Sequence, residues 1–435
     1  MLRRWIVAVL VMALAPVGLS LTSTAGSSGA LGRYIVVLKD AGTAEAVAGS
    51  ASGLGATVNS LFGSVNSLVV SLPLLNVAKL ERDPRVAFVT PDRPVRLLDT
   101  TTDGTAAVAP TGVMRIGAAP MPGVAVAEKK AAVAVLDTGI APRADLNIAG
   151  GVDCAKGDLL GALLGGGTTT KDGNGHGTHV AGTVGALNTG TGVVGVSPGT
   201  PLYAVRVFTS FGSGSLSNVV CGLNWVAENA AALNIKVVNM SLGGEGTDDG
   251  ACGTTDNDAF HAAVCRVTAS GVTVVVAAGN SKADLAKAVP ASYDEVLAVT
   301  AMADFDGKPG GLFKGTASCT SKDPDDSAAS FSNFAVPGAP DAAHVVAAPG
   351  VCITSTWKDG SFKSISGTSM ASPHVAGLVA RCIDAGPCAG MSPAQIIAKL
   401  KADAAARPAA SGFMGDTNSP VPAKFYGSLV NDTGY

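Results

Sequence analysis

The chain has 435 residues, 47% of them hydrophobic and 14% charged, with a formal net charge of −3. That length accommodates one large domain plus a smaller module, with ample apolar content for a core, while the near-neutral balance and the lack of Lys/Arg clusters argue against a nucleic-acid partner. Fifty-five glycines are interleaved with persistent apolar runs, so they mark tight turns and close packing, not disorder.

Arg3 and Arg4 precede an apolar run from Trp5 to Ala15, which Pro16 and Gly18 break, and Ser23-Thr24-Ala25 offers small residues for a signal peptidase. The run is short for a membrane span and carries its breaker inside it, so residues 1–25 read as a cleaved export signal. The protein is expected to be secreted, with no membrane attachment after removal of the signal. All eight cysteines lie between Cys154 and Cys388, and an even number in an exported chain implies disulfides.

A first module follows. Arg33–Leu38, Ala56–Ser60, Leu68–Ser71 and Val86–Val89 read as strands. Thr43–Ala51 and Leu75–Arg82 read as helices, the second with Leu75, Ala78 and Leu80 available to its buried side. The order β-α-β-β-α-β is ferredoxin-like. So small a module buries little by itself and would gain stability by docking on a larger partner. Residues 97–112 are polar and small and read as an exposed linker, open to proteolysis.

From Lys130 onward, strands without polar alternation (Ala132–Leu136, Leu202–Phe208, Ile235–Met240, Val272–Ala277, Val296–Thr300) alternate with helical stretches at Val180–Leu187, Leu216–Leu233 and Ala259–Ala269. This pattern predicts a mostly parallel sheet with helices on both faces, and sites at the carboxyl ends of its strands. Residues 306–330 read as a surface insertion.

Polar residues fall at those ends. Asp137 follows the Ala132–Leu136 strand, where it is either a turn aspartate before Gly139 or an orienting carboxylate. His176 lies in Asp172-Gly173-Asn174-Gly175-His176-Gly177-Thr178-His179. Two histidines three apart raise a metal reading, but the Glu of His-Glu-x-x-His is missing, and His179 reads as a packed structural residue. Asn280 closes the Val276–Ala278 strand as a turn asparagine or an oxyanion donor. In Gly367-Thr368-Ser369-Met370-Ala371-Ser372-Pro373-His374-Val375-Ala376-Gly377, Ser369 precedes an apolar helical run, with Pro373 suited to the first turn. A serine there is a plain N-cap or a nucleophile in a field that favours developing negative charge. Ser372 and His374 read as helix-start and packing residues. The order Asp, His, Asn, Ser is that of the subtilisin triad with its oxyanion donor, and Ser369 lacks the Gly-x-Ser-x-Gly elbow of α/β-hydrolases.

The segments around Asp137, His176, Asn280 and Ser369 resemble the four signature blocks of the subtilisin-like serine proteases, with most likeness to the proteinase K-like branch, over residues 110–430. Residues 33–92 resemble that family's inhibitor-type propeptide. The resemblance implies an α/β fold, a mostly parallel doubly wound sheet with a small ferredoxin-like α+β propeptide domain. It implies a signal peptide at 1–25, a propeptide at 26–99 and a catalytic domain at 100–435, with self-cleavage in or near the linker. Ser369 would attack the peptide carbonyl, His176 would act as base and Asp137 as its orienter, and Asn280 with the Ser369 N–H would hold the oxyanion. Ser241-Leu242-Gly243 and Gly212-Ser213-Gly214 would form the two edges of the substrate cleft. Ala277-Ala278-Gly279 would line the pocket for the side chain before the cleaved bond, favouring apolar or aromatic groups there.

The expected partners are protein and peptide substrates and the chain's own propeptide as intramolecular inhibitor, with the enzyme a monomer. The chemistry requires no cofactor, and no metal ligand is assigned. His344-Val345-Val346-Ala347 stands where many relatives carry a calcium-binding Asp, while other oxygen-rich loops leave structural calcium open. Val180 replaces a cysteine found in some relatives, so thiol sensitivity at the site is not expected. Of the 105 connectivities that eight cysteines allow, proximity favours Cys382–Cys388 and Cys252–Cys265, with Cys154–Cys221 and Cys319–Cys352 as the assignment for the rest. The rival readings are a non-catalytic peptide-binding relative, disfavoured because every catalytic position is filled, and a metallohydrolase using His176 and His179.

Overall fold

The computed structural model describes residues 30–98, 110–118, 131–155, 170–313, 319, 321–407, 412–432 and 434–435. The export signal read at 1–25 and most of the 97–112 linker lie outside the described residues.

The first module is β1 (Leu31–Leu38), α1 (Ala44–Gly53), β2 (Thr57–Phe62), β3 (Ser67–Pro73), α2 (Val77–Glu81) and β4 (Val86–Pro91), with an antiparallel sheet in the order β2-β3-β1-β4. Side chains alternate across a strand, and here the alternation serves two cores. Tyr34, Val36 and Leu38 pack with Val47, Leu68 and Leu80 under the module's own helices. Ile35, Val37, Phe62, Val69 and Phe88 face the other way and join the core of the larger domain. The buried side of the second helix differs from expectation. Leu74–Asn76 forms a 3-10 turn that delays the α-helix, so Leu75 (66% exposed) and Ala78 face solvent and only Leu80 is buried.

The larger domain contains β5 (Pro94–Leu97), α3 (Thr111–Arg115), β6 (Ala132–Asp137), β7 (Ile148–Asp153), α4 (His176–Gly185), β8 (Leu202–Arg206), β9 (Ser213–Ser215), α5 (Leu216–Asn229), β10 (Ile235–Met240), β11 (Leu242–Glu245), α6 (Ala259–Ala269), β12 (Thr273–Ala277), β13 (Ala288–Val289), β14 (Val296–Met302), β15 (Val345–Pro349), β16 (Ile353–Thr356), β17 (Phe362–Ile365), α7 (Thr368–Ala385), α8 (Pro393–Ala405) and β18 (Ser428–Leu429). Its main sheet runs β18-β15-β14-β12-β10-β6-β8-β7, with every described pairing parallel. Val133, Val135, Val237 and Val275 point to the face covered by α4 and α7. Ala134, Leu136, Val238 and Val274 point to the face covered by α5 and α6. The uninterrupted apolar runs thus serve two cores at once, as a doubly wound sheet requires.

Three expectations need correction. Helix α7 starts at Thr368, after the Gly367 N-cap, so Pro373 lies inside it and not in its first turn. The start is set from outside the helix, because the Thr368 N–H is taken by Asn280 Oδ1 at 2.9 Å. Only the ends of the segment read as linker differ from expectation, with strand at Leu97 and helix from Thr111, since both are held by tertiary partners. The described part of the 306–330 insertion is not all surface: Asp325, Asp326 and Ala329 are buried. All four expected disulfides are present, with Cα–Cα separations of 5.9, 5.9, 5.6 and 5.1 Å.

Asp326 is buried because it neutralises Arg115, a fully buried guanidinium on α3. Arg115 Nε lies 2.8 Å from Asp304 Oδ2, and its Nη2 lies 2.6 Å from Asp326 Oδ1. Asp326 Oδ2 also accepts from the N–H groups of Gly310 and Gly311. Breaking a buried ion pair from one side strands the opposite charge, at about 3–5 kcal/mol. Arg115→Ala is therefore expected to lose about that much stability, read from the shift of the unfolding midpoint, whereas Arg85→Ala on the exposed side of the first module should leave the midpoint nearly unchanged.

Two histidines are packed neutral. His179 Nε2 faces the carbonyls of Ile353 (2.9 Å) and Lys363 (3.1 Å), and burial pushes its pKa down to about 3. His374 Nδ1 faces the Met370 carbonyl at 2.8 Å, and burial pushes its pKa down to about 4. Space around His374 is tight, since a Cβ on Gly112 would sit 2.6 Å from its Nε2. A folded pKa below the unfolded value means the unfolded chain binds the proton first. Stability is then whole above about pH 6.5 and falls as pH drops toward about 4. The thermal midpoint of His374→Gln should accordingly fall less steeply than the wild type over that interval; equal slopes would refute the assignment.

Candidate active site

The carboxyl ends of β6, β10 and β12 lie side by side in the sheet, and the polar residues singled out in the sequence gather there. Asp137 is the last residue of β6 and His176 the first of α4. His176 Nδ1 lies 2.7 Å from Asp137 Oδ1 and 2.9 Å from Oδ2, with both side chains wholly buried. Gly177 makes this approach possible, because a Cβ there would stand 2.2 Å from the Gly139 carbonyl and 3.1 Å from Asp137. Burial raises the Asp137 carboxyl above its ordinary range, while His176 and the Thr138 N–H, 2.7 Å from Oδ1, act in the opposite direction.

Asp172 organises the approach to α4, a part that reading along the sequence does not assign to it. Its Oδ1 accepts from Asn174 N, Gly175 N and Thr138 Oγ1, and its Oδ2 from Thr178 N and Oγ1. It thereby satisfies N–H groups around a helix start that has no side-chain N-cap of its own. The one signal of this in the sequence is its position, six residues before Thr178 in a glycine-rich turn.

His176 and His179 do not converge: one faces Asp137, the other two backbone carbonyls. A separate acidic group, Asp304, Asp306 and Asp325, holds its carboxylate oxygens within 4.8 Å of one another. Arg115 already sits on Asp304, and the N–H groups of Gly307, Phe305 and Phe313 occupy Asp304 and Asp325. This donor set is already engaged within the protein, and no calcium is assigned to it. His344 is buried beside Asp294 and Asp341.

Ser369 is the second residue of α7 and is fully buried. Asn280 lies in the loop past β12 and does not close a strand. Its Oδ1 accepts from Thr368 N at 2.9 Å and Thr368 Oγ1 at 2.8 Å, which aims Nδ2 into the cleft. There Asn280 Nδ2 donates to the carbonyl of Leu98 at 2.7 Å, and Ser369 Oγ donates to the same oxygen.

Leu98 follows β5, and β5 fills the cleft. It pairs antiparallel with β11 (Leu242 with Leu97, Gly243 with Arg96) and with β9 (Val95 with Gly214, Arg96 with Ser213). Gly212 borders Leu97, since a Cβ there would lie 2.9 Å from Leu97 Cδ1. Both expected cleft edges thus flank one extended segment of the chain itself. Alongside β5 lies a cavity of about 980 Å³ whose lining includes Leu98, Gly243, Ala277, Ala278, Gly279 and Asn333, with Arg93, Arg96, Glu245, Asp284 and Lys287 as its charged members. Ser241 is buried beneath the same edge.

The subtilase family profile matches residues 128–427. M-protease of Shouchella clausii (strain KSM-K16) is 36% identical over 311 residues, covering 72% of this chain and 67% of that protein. Subtilisin DY of Bacillus licheniformis is 38% identical over 276 residues, covering 62% and 82%. A solved cold-adapted subtilisin-like serine proteinase superposes with a TM-score of 0.53 at 28% identity, covering 75% of this chain and 99% of that one. The chain therefore belongs to the subtilase family and is a serine endopeptidase of that family.

Proposed function

We propose that this endopeptidase is exported as a precursor, cleaves itself after Leu98, and hydrolyses peptide bonds through Asp137, His176 and Ser369. The observation that carries the reading is the Leu98 carbonyl, which accepts hydrogen bonds from both Asn280 Nδ2 and Ser369 Oγ. That is where a scissile carbonyl must sit, within reach of nucleophile and oxyanion donor together.

Ser369 Oγ attacks the carbonyl carbon while His176 takes its proton. Asp137, bonded to Nδ1, holds the imidazole with Nε2 as the basic nitrogen and stabilises the imidazolium that forms. Asn280 and the Ser369 N–H receive the negative charge on oxygen. His176 then protonates the leaving amine, and water resolves the acyl-enzyme by the reverse sequence. Substrate binds as β5 does, as a strand added between β9 and β11, so most of its recognition is through backbone. The small, uncharged wall formed by Ala277, Ala278 and Gly279 supports a preference for apolar or aromatic side chains before the cleaved bond. Leu98 is itself such a residue.

Residues 26–99 act in this reading as propeptide and intramolecular inhibitor. The support is their docking: Asp92 accepts from Ser217 N (2.8 Å) and Oγ (2.7 Å) at the start of α5, and Ser64 N donates to Asn224 Oδ1 at 2.9 Å. Export rests on the N-terminal signal pattern and on the disulfides.

Expression of the full chain should yield a mature form beginning at Asp99, while Ser369→Ala stays uncleaved and loses about 10⁶ in turnover, the loss known for removal of the catalytic serine in subtilisin itself. Mass spectrometry of the two proteins decides; processing of Ser369→Ala in purified form would sink the reading. Asn280→Leu is expected to lower kcat about 10²–10³-fold with little change in KM, again by analogy with subtilisin. A peptide library read by the same enzyme should favour Leu or Phe before the cut, and a strong preference for Lys or Arg would refute the pocket assignment.

A further inference from the structure

The helix carrying Ser369 contains a proline at a telling distance. In an α-helix the carbonyl of residue i accepts from the N–H of residue i+4. For Ser369 that residue is Pro373, inside the helix, which has no N–H to give. The Ser369 carbonyl lies in a fully buried residue, where an unmatched acceptor is costly.

The missing donor comes from outside the helix. Ser241 Oγ donates to the Ser369 carbonyl at 2.8 Å. Asn239 Nδ2 donates to Ser241 Oγ at 3.0 Å, and Asn239 Oδ1 accepts from Ser372 Oγ at 2.8 Å. The amide of Asn239 can both donate and accept, and so passes the chain of hydrogen bonds onward. All four residues are fully buried. The chain of bonds leaves α7 at Ser372, crosses to the end of β10, and returns to α7 at Ser369. Ser369 Oγ in turn lies 3.2 Å from the Ser241 carbonyl. Ser241 is the residue between β10 and β11, and its hydroxyl faces the nucleophile's own peptide unit.

We propose that Asn239, Ser241 and Ser372 form a positioning relay that uses the N–H missing at Pro373 to lock the nucleophile's peptide unit to the strand that binds substrate. The proposal rests on the reading of Ser369 as nucleophile. With the carbonyl of an ordinary helix, the start of α7 would still be tied to its neighbours through Thr368 and the Ser369 hydroxyl, but the Ser369 carbonyl would have no directional bond to the strand beside it. The relay replaces that looseness with a directional bond between the two elements. Small errors in placing reacting atoms are expensive in rate. Backbone pairing with β5 runs through Leu242 and Gly243 and does not use the Ser241 hydroxyl. The relay therefore acts on kcat more than on KM.

The test expresses the full chain as wild type, Ser241→Ala, Pro373→Ala and the double variant, and reads each after self-cleavage and removal of the first module, so that Ser369 is no longer covered by β5. The readouts are the rate of fluorophosphonate labelling at Ser369, kcat and KM on a chromogenic peptide amide, and the thermal midpoint. Ser241→Ala should lose about tenfold in kcat and in labelling rate, with KM within about twofold. In the Pro373→Ala background residue 373 regains an N–H for the Ser369 carbonyl, and removal of the Ser241 hydroxyl should cost less than about threefold. An equal penalty in both backgrounds, a wild-type kcat for Ser241→Ala, or a loss confined to KM would each overturn the relay. If Ser241→Ala does not fold, Ser372→Ala reads the relay from its far end: about a threefold fall in kcat at unchanged KM supports it, and no change overturns it. Wild type that is not labelled at Ser369 overturns nucleophile and relay together, whereas a labelled wild type with an indifferent Ser241→Ala overturns the relay alone.

Discussion

The hydrogen-bonded pair of Asp137 and His176 is the constraint around which this architecture is arranged. A carboxyl with no exposure to water is costly unless it is matched, and Asp137 is matched by His176 Nδ1 and the Thr138 N–H. That match requires α4 to begin against the end of β6, which in turn requires glycine at 177 and a turn held by Asp172. A parallel doubly wound sheet supplies such a place, because all its strands end on one edge. β12 then brings the Asn280 loop to that edge, and the start of α7 brings Ser369.

What is legible in the amino-acid order follows from this physics. Strands β6, β10, β12 and β14 are buried on both faces, so they appear as unbroken apolar runs whose ends are visible. Polar residues at those ends therefore stand out: Asp137 is paired with His176, and Asn280 and Ser369 meet at the Leu98 carbonyl. The cleft strands are less legible: β9 and β11 are short and rich in Ser and Gly, and β5 is a strand only because those two accept it. Leu75 misleads because hydrophobicity marks a candidate for burial, while the 3-10 turn at Leu74–Asn76 decides which way it faces. Arg115 carries no signal, since its partners Asp304 and Asp326 are brought to it from remote parts of the chain. Pro373 suits a first turn because proline is tolerated there at no cost, yet the helix begins earlier, where Asn280 satisfies its leading N–H.

On the proposed reading, the two sides of the cleft answer different demands. Recognition is by backbone on β9 and β11, which suits an enzyme that must accept many sequences, and side-chain discrimination is concentrated where Leu98 meets Gly243 and the Ala277–Gly279 wall. A Cβ on Gly243 would come 3.1 Å from Leu98 Cδ1 and 2.9 Å from the Val289 carbonyl. Glycine at that position therefore keeps the pocket open and lets the edge strand lie close to its neighbour. Glycine content, which in the sequence excludes only disorder, is in the fold a requirement for close approach of backbone to backbone.

The first module also answers two demands. Its sheet has one face for itself and one for α5 and α6 of the larger domain. Cutting the chain after Leu98 would sever a single covalent link, but it would leave Ile35, Val37, Phe62, Val69 and Phe88 buried and Asp92 bonded to the start of α5. If the module is the propeptide proposed above, cleavage and release are then separate events with separate barriers. The first depends on the few atoms around the Leu98 carbonyl; the second depends on re-exposing an apolar face whose burial is worth about 25 cal/mol for every Å². A module that also holds its own tail in the cleft stays an inhibitor after the bond is broken, until it unfolds or is itself digested.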